Sequence, residues 1–543
     1  MIRKSLLSFA LLTFAIGLFG QTEMQTIAEK SNYESTSLYS DVISFVNYLK
    51  KSSKYIRVET IATTTEGREI PVLIVGNPLP KNPKDLINDK RVKVYIQANI
   101  HSGEVEGKEA TLMYLRDLLK QKNPEILKDV VLFVVPDLNA DGNEKISKKN
   151  RTNQNGPING VGVRYNGQMF DLNRDAMKLE SPEMRGVISN ILCKWDPDIV
   201  LDCHTTNGSY HVEPVTFTWI MNPNCDRTLI NYMRDKMMPE MSGTLLNKYK
   251  TENCFYGEFI DMGDYDKGWI SYAAEPRYLS NYIGVRNRLG ILNENYVYAD
   301  FKSRVLGCYN LINSLMDYAS SHTSEIKDII KDVDARTIAR GLNPSALDSF
   351  AITYEGRPTP NNVTIKTYEA DRVESDNEWE RYKKSDRRRD VTVQYIADYY
   401  ATKNVKFPFT YIISIPDPDI IRVLKTHGII VERLNQTYSL DVEKFIIDEI
   451  KPTQRLNQGH YTETFKGKFE KETKEFPKGT YIVRTSQKLG YLVAYLLEPQ
   501  SDDGLMLWNY FDKYLVPQWS RNNNPYPVYK VINSIEIKST KED

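Results

Sequence analysis

From Val92 onward the chain alternates short apolar runs with amphipathic helical patterns. Val92 to Ala98 reads as a strand, and a polar turn separates it from the helical repeat EATLMYLRDLL. A second apolar run, Val130 to Val135, stops at Pro136. A helix from Pro182 to Lys194 then leads into a third strand, Asp198 to Leu201, and Leu289 to Leu292 supplies a fourth. Strands interleaved with helices in this way predict an α/β fold whose mixed, largely parallel sheet is flanked by helices. Each strand runs into a cluster of polar residues. In open α/β sheets ligands bind outside the carboxyl ends of the strands, so the chemistry is expected there.

After a charged, helical segment from Ser320 to Arg340 the pattern changes to extended stretches such as Ala351 to Tyr354 and Val363 to Tyr368. A chain of 543 residues is too long for one ordinary core. We therefore expect one domain over residues 21–325 and a C-terminal α+β domain over 340–543. The charged run from Asn377 to Asp390 reads as a solvated helix or linker face. Farther on, Phe409 to Ile415, Asp419 to Thr426 and Ile429 to Leu434 read strand, helix, strand, while Tyr481 to Thr485 and Leu492 to Leu497 read as strands. No metal, nucleophile or phosphate motif stands out beyond residue 340.

Charge narrows the range of partners. Lysine plus arginine and aspartate plus glutamate balance at 71 each, which leaves no global field to draw in nucleic acid or an anionic membrane. At the N-terminus, Arg3 and Lys4 precede an apolar run from Leu6 to Phe19 and then Gly20. This is the pattern of a secretory signal over residues 1–20, short for a membrane span. An exported chain, periplasmic or secreted, with no later membrane span is expected. The five cysteines lie between positions 190 and 310, so at least one is unpaired; a bridge from Cys225 to Cys254 is compatible with export.

The turn after the first strand reads His101-Ser-Gly-Glu104, a spacing that brings an imidazole and a carboxylate toward one point. His204 follows the strand DIVLDC and so reaches the same sheet edge. Two histidines and one glutamate with a vacant fourth position make a catalytic zinc site, whereas structural sites more often use four protein ligands including cysteine. Cys203 beside His204 faces the other way, into the packing, while Asp202 shares the face of His204.

With HSGE upstream and DCHTT downstream, the segment Phe170-Asp-Leu-Asn-Arg-Asp175 resembles the zinc carboxypeptidase family over roughly residues 40 to 320. The resemblance implies one zinc ion held by His101, Glu104 and His204, and a terminal substrate carboxylate held by Asn173 and Arg174. A guanidinium suits that task because it can make two parallel hydrogen bonds. Asp171 would accept the second ring N–H of His101 and fix its tautomer. Glu294, after the strand LGIL, corresponds to the family's catalytic glutamate and would act as general base. The family's oxyanion-stabilising arginine falls nearest Lys148 in register, with Arg151 three residues on; Arg151 is our choice. A tyrosine upstream of Glu294 is also implied. Tyr265, Tyr272, Tyr278 and Tyr282 qualify, and Tyr282 is carried forward as substrate-binding. Arg286 and Arg288 could add contacts to the substrate carboxylate.

The activity implied is zinc-assisted hydrolysis of peptide bonds by a metallocarboxypeptidase, with a peptide as partner. Two other readings remain: an exported amidase or peptidase acting on peptidoglycan stem peptides, and an inactive peptide-binding protein.

Overall fold

The structure is a computed structural model, which describes residues 24–206, 209–272, 274–376, 381–520 and 522–542. The signal-like segment 1–20 lies outside the described residues. Among the described residues no helix is long and apolar enough to cross a membrane.

The first part of the chain forms β1 (Ile56–Thr63), β2 (Glu69–Val75), β3 (Val92–Ala98), β4 (Val130–Val135), β5 (Ile199–Thr206), β6 (Val215–Thr218), β7 (Asn253–Phe255), β8 (Glu258–Phe259), β9 (Trp269–Ile270) and β10 (Leu289–Tyr296). Eight of these build one sheet in the order β1-β2-β4-β3-β5-β10-β6-β7. Its central block β4-β3-β5-β10 is parallel. The edge formed by β1 and β2 is antiparallel, and β6 joins β10 antiparallel. The central strands are almost wholly buried, as their near-continuous apolar sequences require when both faces are covered.

Two strands run farther than the apolar pattern suggests. β5 continues through Thr206 and β10 through Tyr296, so His204 and Glu294 sit inside the strands rather than after them. The reason is mutual: in the parallel pairing Glu294 lies opposite His204, and each strand supplies the ladder that keeps the other extended over its polar end.

Helix Glu106–Leu119 and helix Phe301–Ser321 pack together on the sheet face that carries Ala98 and Cys203. A β-carbon on Gly107 would come 2.5 Å from Cys203 Cβ and 3.0 Å from Ala98 Cβ. Helix Leu279–Val285 covers the opposite face, where Gly290 lies against Ser280 and Ile283. All five cysteines are free; Cys203 Sγ lies 3.9 Å from Cys308 Sγ, and the bridge between Cys225 and Cys254 is not formed.

The later part adds β11 (Ser349–Pro358), β12 (Val363–Arg372), β13 (Tyr382–Val393) and β14 (Tyr395–Lys406). The charged run is therefore a strand over its described part, not a helix or linker. Arg387 pairs across the hairpin with β12, its Nη2 2.7 Å from Asp371 Oδ1, and the strand is largely solvated. A small sheet in the order β11-β14-β9-β8 crosses the 320–340 region, with Tyr395 opposite Trp269 and Ile396 opposite Ile270. A seven-stranded antiparallel sheet follows, built around the long hairpin Tyr438–Pro452 and Glu463–Phe476.

Strand Thr410–Ile413, helix Pro418–Thr426 and strand Glu432–Leu434 follow the expected order. Leu492 to Leu497 departs from expectation: it belongs to helix Gly490–Leu497, whose apolar residues are fully buried. A short apolar run buried on all sides satisfies either geometry, so periodicity alone does not separate them. One apolar core extends from the parallel sheet through Leu496 to Val528, and a second, around Ile412 and Val531, lines the other face of the C-terminal sheet.

The contact at Gly107 sets a measurable demand. Gly107→Ala should lower the unfolding free energy by about 1–3 kcal/mol, the usual range for overpacking. The readout is a lower urea midpoint, and an unchanged midpoint would show that helix Glu106–Leu119 can lift off the sheet at little cost.

Candidate active site

At the end of β3 the chain turns sharply, with Asn99 in the left-handed region at φ 60°, which asparagine tolerates better than most residues. Its side-chain amide donates to Asp137 at 2.7 Å. The following turn closes with the Glu104 amide donating to the His101 carbonyl at 2.9 Å, placing both side chains over the ends of β3 and β5.

His101 Nδ1 stands 3.1 Å from Glu104 Oε1, and His204 Nδ1 stands 3.0 Å from Glu104 Oε2. The donor atoms of His101, Glu104 and His204 lie within 4.8 Å of one another, and all three residues are buried. Each ring gives its other nitrogen to an aspartate: His101 Nε2 meets Asp171 Oδ1 at 2.9 Å, and His204 Nε2 meets Asp202 Oδ2 at 2.8 Å. These pairings leave both Nδ1 lone pairs directed at a common point. His101 Nδ1 is buried without a hydrogen-bond partner despite its short distance to Glu104. Two imidazoles and one carboxylate converging in this way fit a zinc ion with one position open for chemistry.

The electrostatics point the same way. Burial alone would depress His204, but Asp202 and Glu104 hold it well above its ordinary pKa. Burial would raise Glu104, yet the charges of His101 and Arg151 hold it well below.

Glu294 opens onto a cavity of about 260 Å³ whose wall also includes His101, Glu104, His204, Asn173 and Arg174. Its Oε2 is buried without a hydrogen-bond partner. Burial raises its pKa, the Glu104 charge adds to this, and His204, Arg151 and Arg164 oppose it. A carboxyl poised this way can exchange a proton with water or substrate.

Asn173 and Arg174 lie in a short 3₁₀ turn capped by Asp171, whose Oδ1 accepts the Asn173 amide at 3.0 Å. Asn173 Oδ1 in turn accepts the Leu279 amide at 3.1 Å, and the Arg174 guanidinium lies 4.4 Å over the Tyr278 ring. The far half of the chain reaches this turn as well: Gln458 Oε1 accepts the Asp171 amide at 2.8 Å. Behind the metal-ligand turn, fully buried Arg304 pairs through Nε with Glu106 and donates to the carbonyls of Asn155 and Gly156, each at 2.7 Å. The other Glu106 oxygen takes the Thr205 hydroxyl, next to His204.

Three expectations are corrected. Arg151 reaches the cluster but clamps Glu104 Oε1 and the Thr205 carbonyl, both at 2.9 Å, and does not line the cavity; Lys148 is exposed and lies outside it as well. Besides Arg174, the arginine on the cavity wall is Arg164, with Nε 2.8 Å from Asp171 Oδ2 and Nη1 3.5 Å from Glu104 Oε1. Nothing in its local spacing marks it; its signal is a cation just before the DLNR segment.

Tyr282 is fully buried away from the cavity, its hydroxyl 2.7 Å from His427 Nδ1. One helical turn earlier, Tyr278 faces the cavity, as do Tyr256 and Tyr272. Arg286 and Arg288 precede β10, at the opposite end of the strand from the site. Arg286 donates to the His427 carbonyl at 2.8 Å, and Arg288 pairs with Asp196 and Asp334 at 2.8 and 3.0 Å.

Residues 42–186, which include His101, Glu104 and the DLNR turn, match the zinc carboxypeptidase family. Carboxypeptidase 2 of Trichophyton rubrum is 22% identical over 511 residues, covering 90% of this chain and 85% of the relative. Probable carboxypeptidase 2 of Arthroderma benhamiae is 21% identical, covering 84% and 83%. A metallo-carboxypeptidase from Burkholderia cenocepacia, of known structure, aligns over 52% of this chain and 69% of its own, with 18% identity and a TM-score of 0.38. With a donor set that fits zinc at the strand ends and a family match across the segment that supplies two of its members, the protein is a zinc-dependent metallopeptidase whose residues 42–186 are similar to the zinc carboxypeptidase family.

Proposed function

We propose that the enzyme shortens peptides from their free C-terminus, with zinc held by His101, Glu104 and His204. The observation that carries this reading is the placement of Asn173 and Arg174 on the same cavity wall as Glu294 and the donor triad. A carboxylate anchor beside the hydrolytic groups restricts cleavage to the end of a chain. When bound, zinc supplies a Lewis acid for the scissile carbonyl and lowers the pKa of water toward about 7.

The protein's own groups do the rest. Glu294 takes the proton from the attacking water and returns it to the leaving amine, which a carboxylate held in a buried site is suited to do. The Arg164 guanidinium, fixed through Nε by Asp171, presents its remaining N–H groups to the oxyanion. Arg174, stacked on Tyr278, grips the terminal carboxylate, and Asn173 assists it. The N-terminal pattern over residues 1–20 supports export of the mature enzyme, and residues 340–543 form an accessory region that packs against the catalytic sheet and braces the clamp turn through Gln458.

Three outcomes follow. Glu294→Gln should keep its zinc while kcat falls by about 10²–10⁴-fold, the usual contribution of general acid–base catalysis; full activity in this variant would remove Glu294 from the mechanism. Arg174→Met should lower kcat/KM by roughly 10–150-fold on peptides with a free C-terminus, as expected for losing a hydrogen bond between charged groups. The same substitution should leave the much poorer cleavage of C-terminally amidated peptides unchanged, and equal losses on both would argue against an exopeptidase clamp. Mass spectrometry of protein secreted by an exporting host should give an N-terminus at Gln21, and a retained Met1 would count against signal cleavage.

A further inference from the structure

A second group of buried donors lies beyond the C-terminal end of β5, and the activity described above does not use it. A ring nitrogen of His211, a carboxylate oxygen of Glu213 and Cys254 Sγ lie within 4.8 Å of one another. The residues are 2%, 2% and 6% exposed. We propose that His211, Glu213 and Cys254 bind a second metal ion of the zinc class, which fastens the segment between β5 and β6 to β7 and to the hairpin strand β12.

The geometry is that of ligands around a common centre. His211 Nδ1 is 3.6 Å from Glu213 Oε2, too far for a hydrogen bond and close to the edge of about 3.4 Å expected for a tetrahedron with bonds of about 2.1 Å. Nδ1 is buried with no hydrogen-bond partner, a costly state for a ring nitrogen unless something else occupies that direction.

Each donor is held in place from outside the cluster. The His211 ring lies against Tyr296 with centroids 3.7 Å apart and meets the Trp269 ring edge-on at 6.2 Å. Its backbone amide donates to the Tyr296 hydroxyl at 3.0 Å. Glu213 accepts the amides of Val212 at 3.2 Å and Lys366 at 2.9 Å. Cys254 is the middle residue of β7, opposite Thr216 of β6.

Charge identifies the occupant. Among the described residues no lysine or arginine head group lies within salt-bridge range of Glu213, whose one such partner is His211. A thiolate, a carboxylate and a neutral imidazole around a dication sum to zero, which removes the cost of burying an unpaired charge. Mixed sulfur, nitrogen and oxygen donors favour zinc over the hard cations, which take oxygen alone. The ligands also come from separate stretches of chain, and His211 bridges Thr367 of β12. A metal here therefore cross-links elements that hydrogen bonds alone would have to join.

The test uses the full-length enzyme. Dialysed against zinc and measured by mass spectrometry, wild type should hold two zinc ions per chain; Cys254→Ser should hold one and His101→Ala the other. Replacement by cobalt separates the sites optically, because thiolate-to-cobalt charge transfer requires sulfur and the catalytic triad has none. The band should appear in wild type and in His101→Ala and vanish in Cys254→Ser. If Cys254→Ser does not fold, the band in the other two proteins decides. One zinc per chain at saturating metal, with no thiolate band, overturns the proposal.

Discussion

Everything at the catalytic end of the sheet depends on how buried carboxylates are neutralised. Glu104, Glu106, Asp171, Asp202 and Glu294 crowd the ends of three parallel strands, nearly all shielded from water. Each would cost several kcal/mol to bury alone. The structure answers with fixed cations and imidazoles: Arg304 for Glu106, Arg151 and the histidines for Glu104, Arg164 for Asp171 and His204 for Asp202. Glu294 is the exception. It has an oxygen with no hydrogen-bond partner, and burial, with the Glu104 charge adding to it, raises its pKa as a proton-transfer group needs.

This balance explains the sheet. Parallel pairing in register sets His204 beside Glu294, so the separation between a metal donor and the proposed proton carrier is set by strand spacing, not by loop conformation. Gly107 lets the helix behind the HSGE turn sit directly on Cys203 and Ala98, and Arg304 ties that turn to the loop at Asn155. A catalytic array built on such supports loses little on binding because little is left to order.

Much of this was legible in the sequence where chemistry and periodicity coincide. The HSGE turn, the DLNR segment and the glutamate after LGIL each combine an unusual polar group with a strand end, and the structure brings them to one cavity. Signals that depend on long-range packing were not legible. Arg164 and Arg151 are both cations in polar loops, and only the tertiary path of the chain decides which faces the cavity. Tyr278 and Tyr282 are separated by one helical turn, yet one stacks on Arg174 while the other is buried against His427. The run LVAYLL carries no period to distinguish helix from strand. The charged end of the hairpin β12–β13 shows no strand period because it is largely solvated, while the hairpin's apolar pairs, Val363 with Val393 and Ile365 with Val391, pack on the core at the other end.

The bond from Gln458 to the Asp171 amide joins residues 287 apart. Ribosomes deliver the chain from its N-terminus, so the metal-binding turn, β5 and β10 all emerge well before the residue that steadies the proposed carboxylate clamp. Order of synthesis thereby becomes order of assembly: the hydrolytic half can collapse early, but the turn that carries Asn173 and Arg174 is braced only after Gln458 has been made. An incomplete chain is thus also an incompletely braced protease.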